Sequence, residues 1–444
     1  MKHLLLTNGT VVNEGRSEIL DVLIRDDRIE RLGPGPTPAG AEVIDLSGCH
    51  VLPGIIDDQV HFREPGMTHK ADIGSESKAA ICGGVTSFLD MPNNSPPCVD
   101  RAGLEFKKRV AERSSYANYG FYLGATNTNI DEIRRISARE ACGIKVFMGA
   151  STGNMLVDDT AALEAIFRDA PLPVVTHCED SPMIKAAENA ARERYGDDVP
   201  MSEHPHIRSA EACYKSSSLA VGLARQNGTR LHVLHLTTAR ELELFDRGPI
   251  ESKRITAEVC VHHLWYDEAD YARLGTLIKC NPAIKTAADR QGLRRGIDDD
   301  VIDVIATDHA PHTREEKAAG YFGAPSGLPL VQHFLPMLLE LHHQGVLGLD
   351  QIVQKAAHNP ALLFGIRDRG FVREGYLADL AIVDVNAAVS VRREQVKYKC
   401  GWSPLEGETL HGAVLMTVIG GEVVYDHGQI RERPLGRELE FEPA

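Results

Sequence analysis

Two textures alternate along the chain. Between residues 51 and 311, eight short runs of apolar and β-branched residues recur. They are VLPGIIDDQVH (51–61), VTSFLDMP (85–92), YGFYLGAT (119–126), GIKVFMG (143–149), LPVVTHCE (172–179), LHVLHLT (231–237), ITAEVCVHHL (255–264) and VIDVIATDHAP (301–311). Helical stretches such as AGLEFKKRVAERSS, TAALEAIFRDA and SAEACYKSSSLAVGLARQNG lie between them. Strands alternating with helices predict βαβ units and a parallel sheet. Eight such units, spread over roughly 250 residues or more, predict a (β/α)8 barrel of the TIM type. A doubly wound sheet is the alternative, but no GxGxxG follows the first strand. Insertions lengthen the connections around 180–210 and 265–300.

Both ends of the chain read differently. HLLLTNG, GTVVNEG, ILDVLIRDDRI and AEVIDLSGCHVLPG are short strands broken by turn residues, and GYLADLAIVDV, AAVSVRRE and AVLMTVIGGEVVYDHG repeat that texture near the C-terminus. The expectation is a small β-sandwich domain built from residues 1–52 and 376–444, flanking a barrel at 53–375.

Composition narrows the function classes. The 444 residues carry 48 basic and 63 acidic side chains, a net charge of −15. Nucleic-acid binders present a basic stripe, so nucleic acid is a poor partner. No run approaches the ~18 apolar residues that span a bilayer, and MKHLLLTNG is too short for a secretory core. Nine scattered cysteines with no CxxC read as small buried hydrophobes in a reducing compartment, which points to the cytoplasm. The 19 histidines raise a different question, because His is the commonest metal ligand and the acid/base of neutral pH.

Their placement is informative. In a barrel the active site lies at the C-terminal ends of the strands. Strand 1 ends in Asp57-Asp58-Gln59-Val60-His61, and period-2 alternation predicts that Asp57, Gln59 and His61 share a face. Lys145 sits in strand 4, His177 ends strand 5, and His232 and His235 lie in strand 6. His262 and His263 lie in strand 7, and Asp308 and His309 end strand 8, with His312 just beyond. Burying such groups unpaired costs several kcal/mol each. A metal site removes that cost, and His with carboxylate suits zinc best, then Mn, Co or Fe. Lys145, within apolar sequence, has two readings. It is either a neutral amine able to form a carbamate that bridges two cations, or a lysine paired to a buried acid.

Six segments, in order, resemble the amidohydrolase superfamily and within it the dihydroorotases. They are PGIIDDQVHFREPG (53–66), GGVTSFLDMPNNSPP (83–97), GIKVFMG (143–149), VVTHCED (174–180), LHVLHLTT (231–238) and IATDHAPHTREEK (305–317). The resemblance covers essentially the whole chain. It implies that His61 and Asp308 bind a first metal, that Lys145 bridges as its N6-carboxylate, and that His177 and His235 bind a second. It also implies that Asp308 is the general acid/base and that Arg63, Asn93, Asn281 and His312 contact substrate. One or two zinc ions per subunit and a homo-oligomer follow from the same resemblance.

One position departs from the pattern. The opening motif normally reads Asp-x-His-x-His-x-Arg, and its first His is Gln59 here. An amide oxygen is a weak ligand for zinc, so a first site of reduced affinity is expected. The resemblance implies reversible closure of N-carbamoyl-L-aspartate to dihydroorotate in pyrimidine synthesis. Hydantoinase or allantoinase activity is the alternative; Arg63, two residues past His61, favours a substrate that carries a carboxylate. An inactive barrel kept as a structural partner, for example of a transcarbamoylase, is a third reading. Against it, Lys145, His177, His235, Asp308 and His312 all stand. The remaining histidines read as core or neighbouring groups: His262 and His263 are not expected to be ligands, and His309 should face away from Asp308. The Gly-rich segment 312–327 is a candidate for movement over the site, and the Ser326-Gly327 pair falls where the family's late substrate loop lies.

Overall fold

The computed structural model describes residues 2–149 and 155–442. The eight predicted runs form eight parallel strand positions. These are Ile55–Val60, Val85–Asp90, Asn118–Phe121 continued by Leu123–Gly124, Ile144–Phe147, Val174–His177, Leu231–Val233, Ile255–Cys260 and Val304–Ala306. The third strand changes partners at its break. Tyr122 N donates to Asp90 O of the second strand at 3.2 Å, whereas Leu123 N donates to Gly143 O, just before the fourth, at 3.1 Å. The first and last strands meet through a parallel bridge at Val60–His309, with His61 N donating to His309 O at 2.7 Å. These contacts place the strands as a TIM-type barrel.

Helices cover the outside. Those at Ile73–Cys82, Arg101–Ser114, Thr160–Asp169, Ser181–Tyr195, Ala210–Asn227 and Ala287–Asp298 each begin behind an Asp, Ser or Thr whose side chain accepts a first-turn N–H. Inside, Ile56, Leu89, Tyr122, Val175 and Val304 pack with Phe364 and Phe371 as an apolar floor. With that end filled, the polar strand ends gather at the other.

The two chain ends build one mixed sheet of nine strands. His50–Pro53 joins them, pairing parallel with His3–Asn13 and antiparallel with Leu380–Ser390. Leu4, Leu6, Val22, Ile24, Ile382 and Val418 form its core. The last residues then return to the barrel, where Leu439 N donates to Tyr119 O at 2.9 Å. All nine cysteines are free, and seven are buried.

A buried ion pair ties helix to barrel mouth. Lys107 Nζ lies 2.6 Å from Asp90 Oδ2 and donates to Met91 O and Asn94 Oδ1 at 2.9 and 3.0 Å. Asp90 Oδ1 in turn accepts from Phe62 N at 2.8 Å. Removing one partner strands a charge in the interior, a loss of about 3–5 kcal/mol. Lys107→Ala is therefore expected to lower unfolding free energy by that amount in urea titration. A change below about 1 kcal/mol would mean that Asp90 finds another partner or a proton.

Candidate active site

The strand ends open onto a cavity of about 570 Å³. Its lining includes all nine residues to which the resemblance gave a role, namely His61, Arg63, Asn93, Lys145, His177, His235, Asn281, Asp308 and His312, and also Gln59. Three of these residues, Arg63, His235 and Asp308, hold left-handed backbone with φ of 66°, 41° and 48°. That conformation turns the chain sharply where each strand ends. It also explains why the sixth strand stops at Val233, two residues before His235, when the run LHVLHLT reads as strand throughout.

On one side of the cavity His61 Nε2 lies 3.0 Å from Asp308 Oδ1, and His61 Nδ1 lies 2.6 Å from Asn93 Oδ1. Burial pushes the Asp308 carboxyl up, but the His61 ring and the Lys145 charge outweigh it and hold it below the usual carboxylate range. Gln59 Nε2 donates to the same Asp308 oxygen at 3.2 Å, while its Oε1 lies 3.8 Å from Cys260 Sγ. The amide thus presents its donor side to Asp308. On the other side His177 Nδ1 lies 3.0 Å from His235 Nε2. Burial lowers the pKa of both rings, and that of His235 far more. Both are neutral at pH 7, with lone pairs available. Lys145 belongs to both sides: its charge acts on Asp308, His177 and His235. Burial draws its own pKa down to about 8, and Nζ sits 4.6 Å from the centre of the Phe147 ring.

A cationic wall faces these groups. Arg63 Nη2 lies 3.0 Å from His312 Nε2, and Lys70 Nζ donates to His312 Nδ1 at 3.0 Å. Burial and these two cations hold His312 neutral. Asn281 Oδ1 accepts from Ser326 Oγ at 3.0 Å, and Ser326 and Gly327 also line the cavity.

Several features escaped the sequence pattern. Asp57 does not share the cavity face: pairing with the second strand shifts register between Asp57 and Val60, and Asp57 Oδ2 instead accepts from Thr307 Oγ1 at 2.5 Å. His262 and His263 lie on a helical turn, Val261–Trp265, because the seventh strand ends at Cys260. Glu179 accepts from His177 Nε2 at 2.9 Å and pairs with Arg208, which fixes the ring with Nδ1 bare. The acid two residues beyond the histidine in VVTHCED is the signal that could have found it. Lys70 lies in a loop with no such signal. His309 does face away from Asp308, bound to Glu76 Oε2 at 2.9 Å. Within the segment 312–327, buried Lys317 donates to Lys279 O, Pro325 O and Gly327 O, ties that movement over the site would have to break.

Across residues 50–424 the sequence matches the amidohydrolase family. The chain belongs to that family. This amidohydrolase is 33% identical over 425 residues to a dihydroorotase of Methanothermobacter thermautotrophicus, covering 94% of this chain and 93% of that one. It is 31% identical over 450 residues to an allantoinase of Solibacter usitatus, covering 99% and 97%. Among solved structures it superposes on the L-hydantoinase (dihydropyrimidinase) of Arthrobacter aurescens with a TM-score of 0.93 at 25% identity, covering 99% and 100%. The amidohydrolase is a cyclic amide hydrolase acting on a small molecule. Its family is generally metal-dependent. No described helix is long and apolar enough to cross a membrane.

Proposed function

We propose that this amidohydrolase is a dihydroorotase, closing N-carbamoyl-L-aspartate to dihydroorotate and water in cytoplasmic pyrimidine synthesis. The observation that carries the reading is the buried Arg63 guanidinium on the cavity wall, backed by Lys70 and His312. Dihydroorotate carries a ring carboxylate that a guanidinium fork matches with two hydrogen bonds. The neutral rings of hydantoin and dihydropyrimidine leave that fork unmatched.

The donor set fits zinc. Two neutral imidazoles converge here, and His177, whose Nε2 donates to Glu179, keeps Nδ1 free as the kind of ring nitrogen that zinc takes. His177 and His235 would hold one ion, and His61 with Asp308 another. Lys145 as its carbamate would join them. Bound zinc would polarise the ring carbonyl and acidify a water molecule. The chain's own residues do the rest. Glu179 and Asn93 fix the His177 and His61 rings, Asp308 takes the proton of the attacking water and returns it to the ring nitrogen, and Arg63 holds the carboxylate. Gln59, turned to donate to Asp308, would leave the first ion a ligand short, which supports a weaker first site.

Hydrolysis rates on dihydroorotate, allantoin, a substituted hydantoin and dihydrouracil, each with added zinc, test the reading. Dihydroorotate is expected to lead in kcat/KM by about 100-fold. A lead for allantoin or hydantoin would transfer the assignment to those relatives' chemistry, and no turnover on any ring would favour the structural-partner reading.

A further inference from the structure

A second cluster of ionisable side chains lies inside the barrel, off the cavity wall. Asp58, His232 and Glu258 are fully buried. His232 Nε2 is 3.5 Å from Asp58 Oδ2 and 3.3 Å from Glu258 Oε2, and one ligand atom from each residue lies within 4.8 Å of the other two. Among the described residues, neither carboxylate oxygen of Asp58 has a hydrogen-bond partner. We propose that these three side chains bind a divalent cation, separate from any held by the cavity residues and taken up as the chain folds.

Charge makes the first argument. Without a cation the cluster reaches neutrality only by holding protons, since burial and the Asp58 charge push the Glu258 carboxyl up and the two carboxylates, against its burial, keep the His232 ring protonated; a divalent cation would take the place of those protons. The same carboxylates and a neutral imidazole around a divalent cation sum to zero. Geometry makes the second. Zinc binds nitrogen and oxygen at about 2.0–2.2 Å, so ligand atoms on a tetrahedron stand about 3.4 Å apart. The observed 3.3 and 3.5 Å match that spacing and exceed the ~2.7–2.9 Å of a charge-assisted hydrogen bond.

Tautomer makes the third. Thr256 Oγ1 donates to Leu231 O at 3.2 Å, so it accepts from His232 Nδ1 at 2.8 Å. One ring proton is thereby held on Nδ1, and the proton that the two carboxylates hold on Nε2 is the one a cation there would displace. An oxygen on the far nitrogen is the usual arrangement behind a metal-bound histidine. One imidazole with two carboxylates selects zinc, with manganese next.

The cluster also reaches the catalytic cavity. Glu258 Oε1 accepts from His235 N at 3.1 Å, so a cation here would brace the residue that holds left-handed backbone at the cavity wall.

The experiment uses the full chain produced with zinc and purified without chelator. An anomalous difference map at the zinc edge is expected to show a peak about 2 Å from His232 Nε2 and from one oxygen each of Asp58 and Glu258. Metal analysis should find that Asp58→Asn and His232→Gln each lose one zinc per chain. A His177→Asn/His235→Asn variant, stripped of cavity ligands, should keep this ion. That last arm separates failure of the interior site from failure of the proposed hydrolytic metal centre. A map with no peak at the triad overturns the proposal and leaves a hydrogen-bonded imidazolium. Unchanged zinc content in Asp58→Asn and His232→Gln overturns it as well.

Discussion

Asp308→Asn is expected to cut kcat on dihydroorotate by about 100- to 10,000-fold, the range a positioned general acid/base supplies. The substitution keeps the side chain's size and an oxygen acceptor for Gln59 but removes the titrating group. Its present environment suits a base: the carboxyl is buried, yet His61 and Lys145 keep it ionised at neutral pH. Substrate should still bind, because the Arg63 wall is untouched. The measurement is kcat by ultraviolet loss of dihydroorotate, with zinc content and substrate affinity determined on the same sample. A variant that keeps its zinc and more than a tenth of its rate would remove Asp308 from the proton path.

The second large effect separates substrates. Arg63→Ala should raise KM for dihydroorotate about 10- to 100-fold, the worth of hydrogen bonds to a charged group. Any residual turnover of dihydrouracil, which lacks the carboxylate, should not change. Arg63→Lys should restore little, because an ammonium cannot reproduce the planar fork. Equal losses on both rings would point instead to a collapsed wall, since Arg63 also donates to Pro311 O at 3.2 Å and contacts His312.

The site was legible because barrels display function at strand ends. A polar residue at the end of an apolar run has nowhere else to go, so His61, Lys145, His177, His235 and Asp308 could be placed from pattern and resemblance. Illegible features have local physical causes. Asp57 left the cavity because of a register shift that period-2 counting cannot see, and Thr307 offered it two donors. His262 and His263 left their strand because the chain turns helical at Val261, although the run ITAEVCVHHL stays apolar. Lys70 and Lys317 act from loops, where side chains reach across space without periodicity. Lys317 ties together a segment whose glycines gave no sign of an anchor. That both chain ends build one β-domain was readable from texture, but not the return of residues 436–442 to the barrel, which depends on tertiary contacts such as Leu439 N with Tyr119 O and Glu442 N with Gly365 O.

The left-handed backbone at Arg63, His235 and Asp308 has an evolutionary consequence. Each costs roughly 1–2 kcal/mol that a glycine would not incur. Strain of that size persists only where the side chain is needed, so heat selection blind to turnover would press on these three positions and favour replacements that keep the packing while losing the anion clamp, the imidazole or the proton carrier. Any laboratory lineage bred from this chain must be screened on turnover at every round.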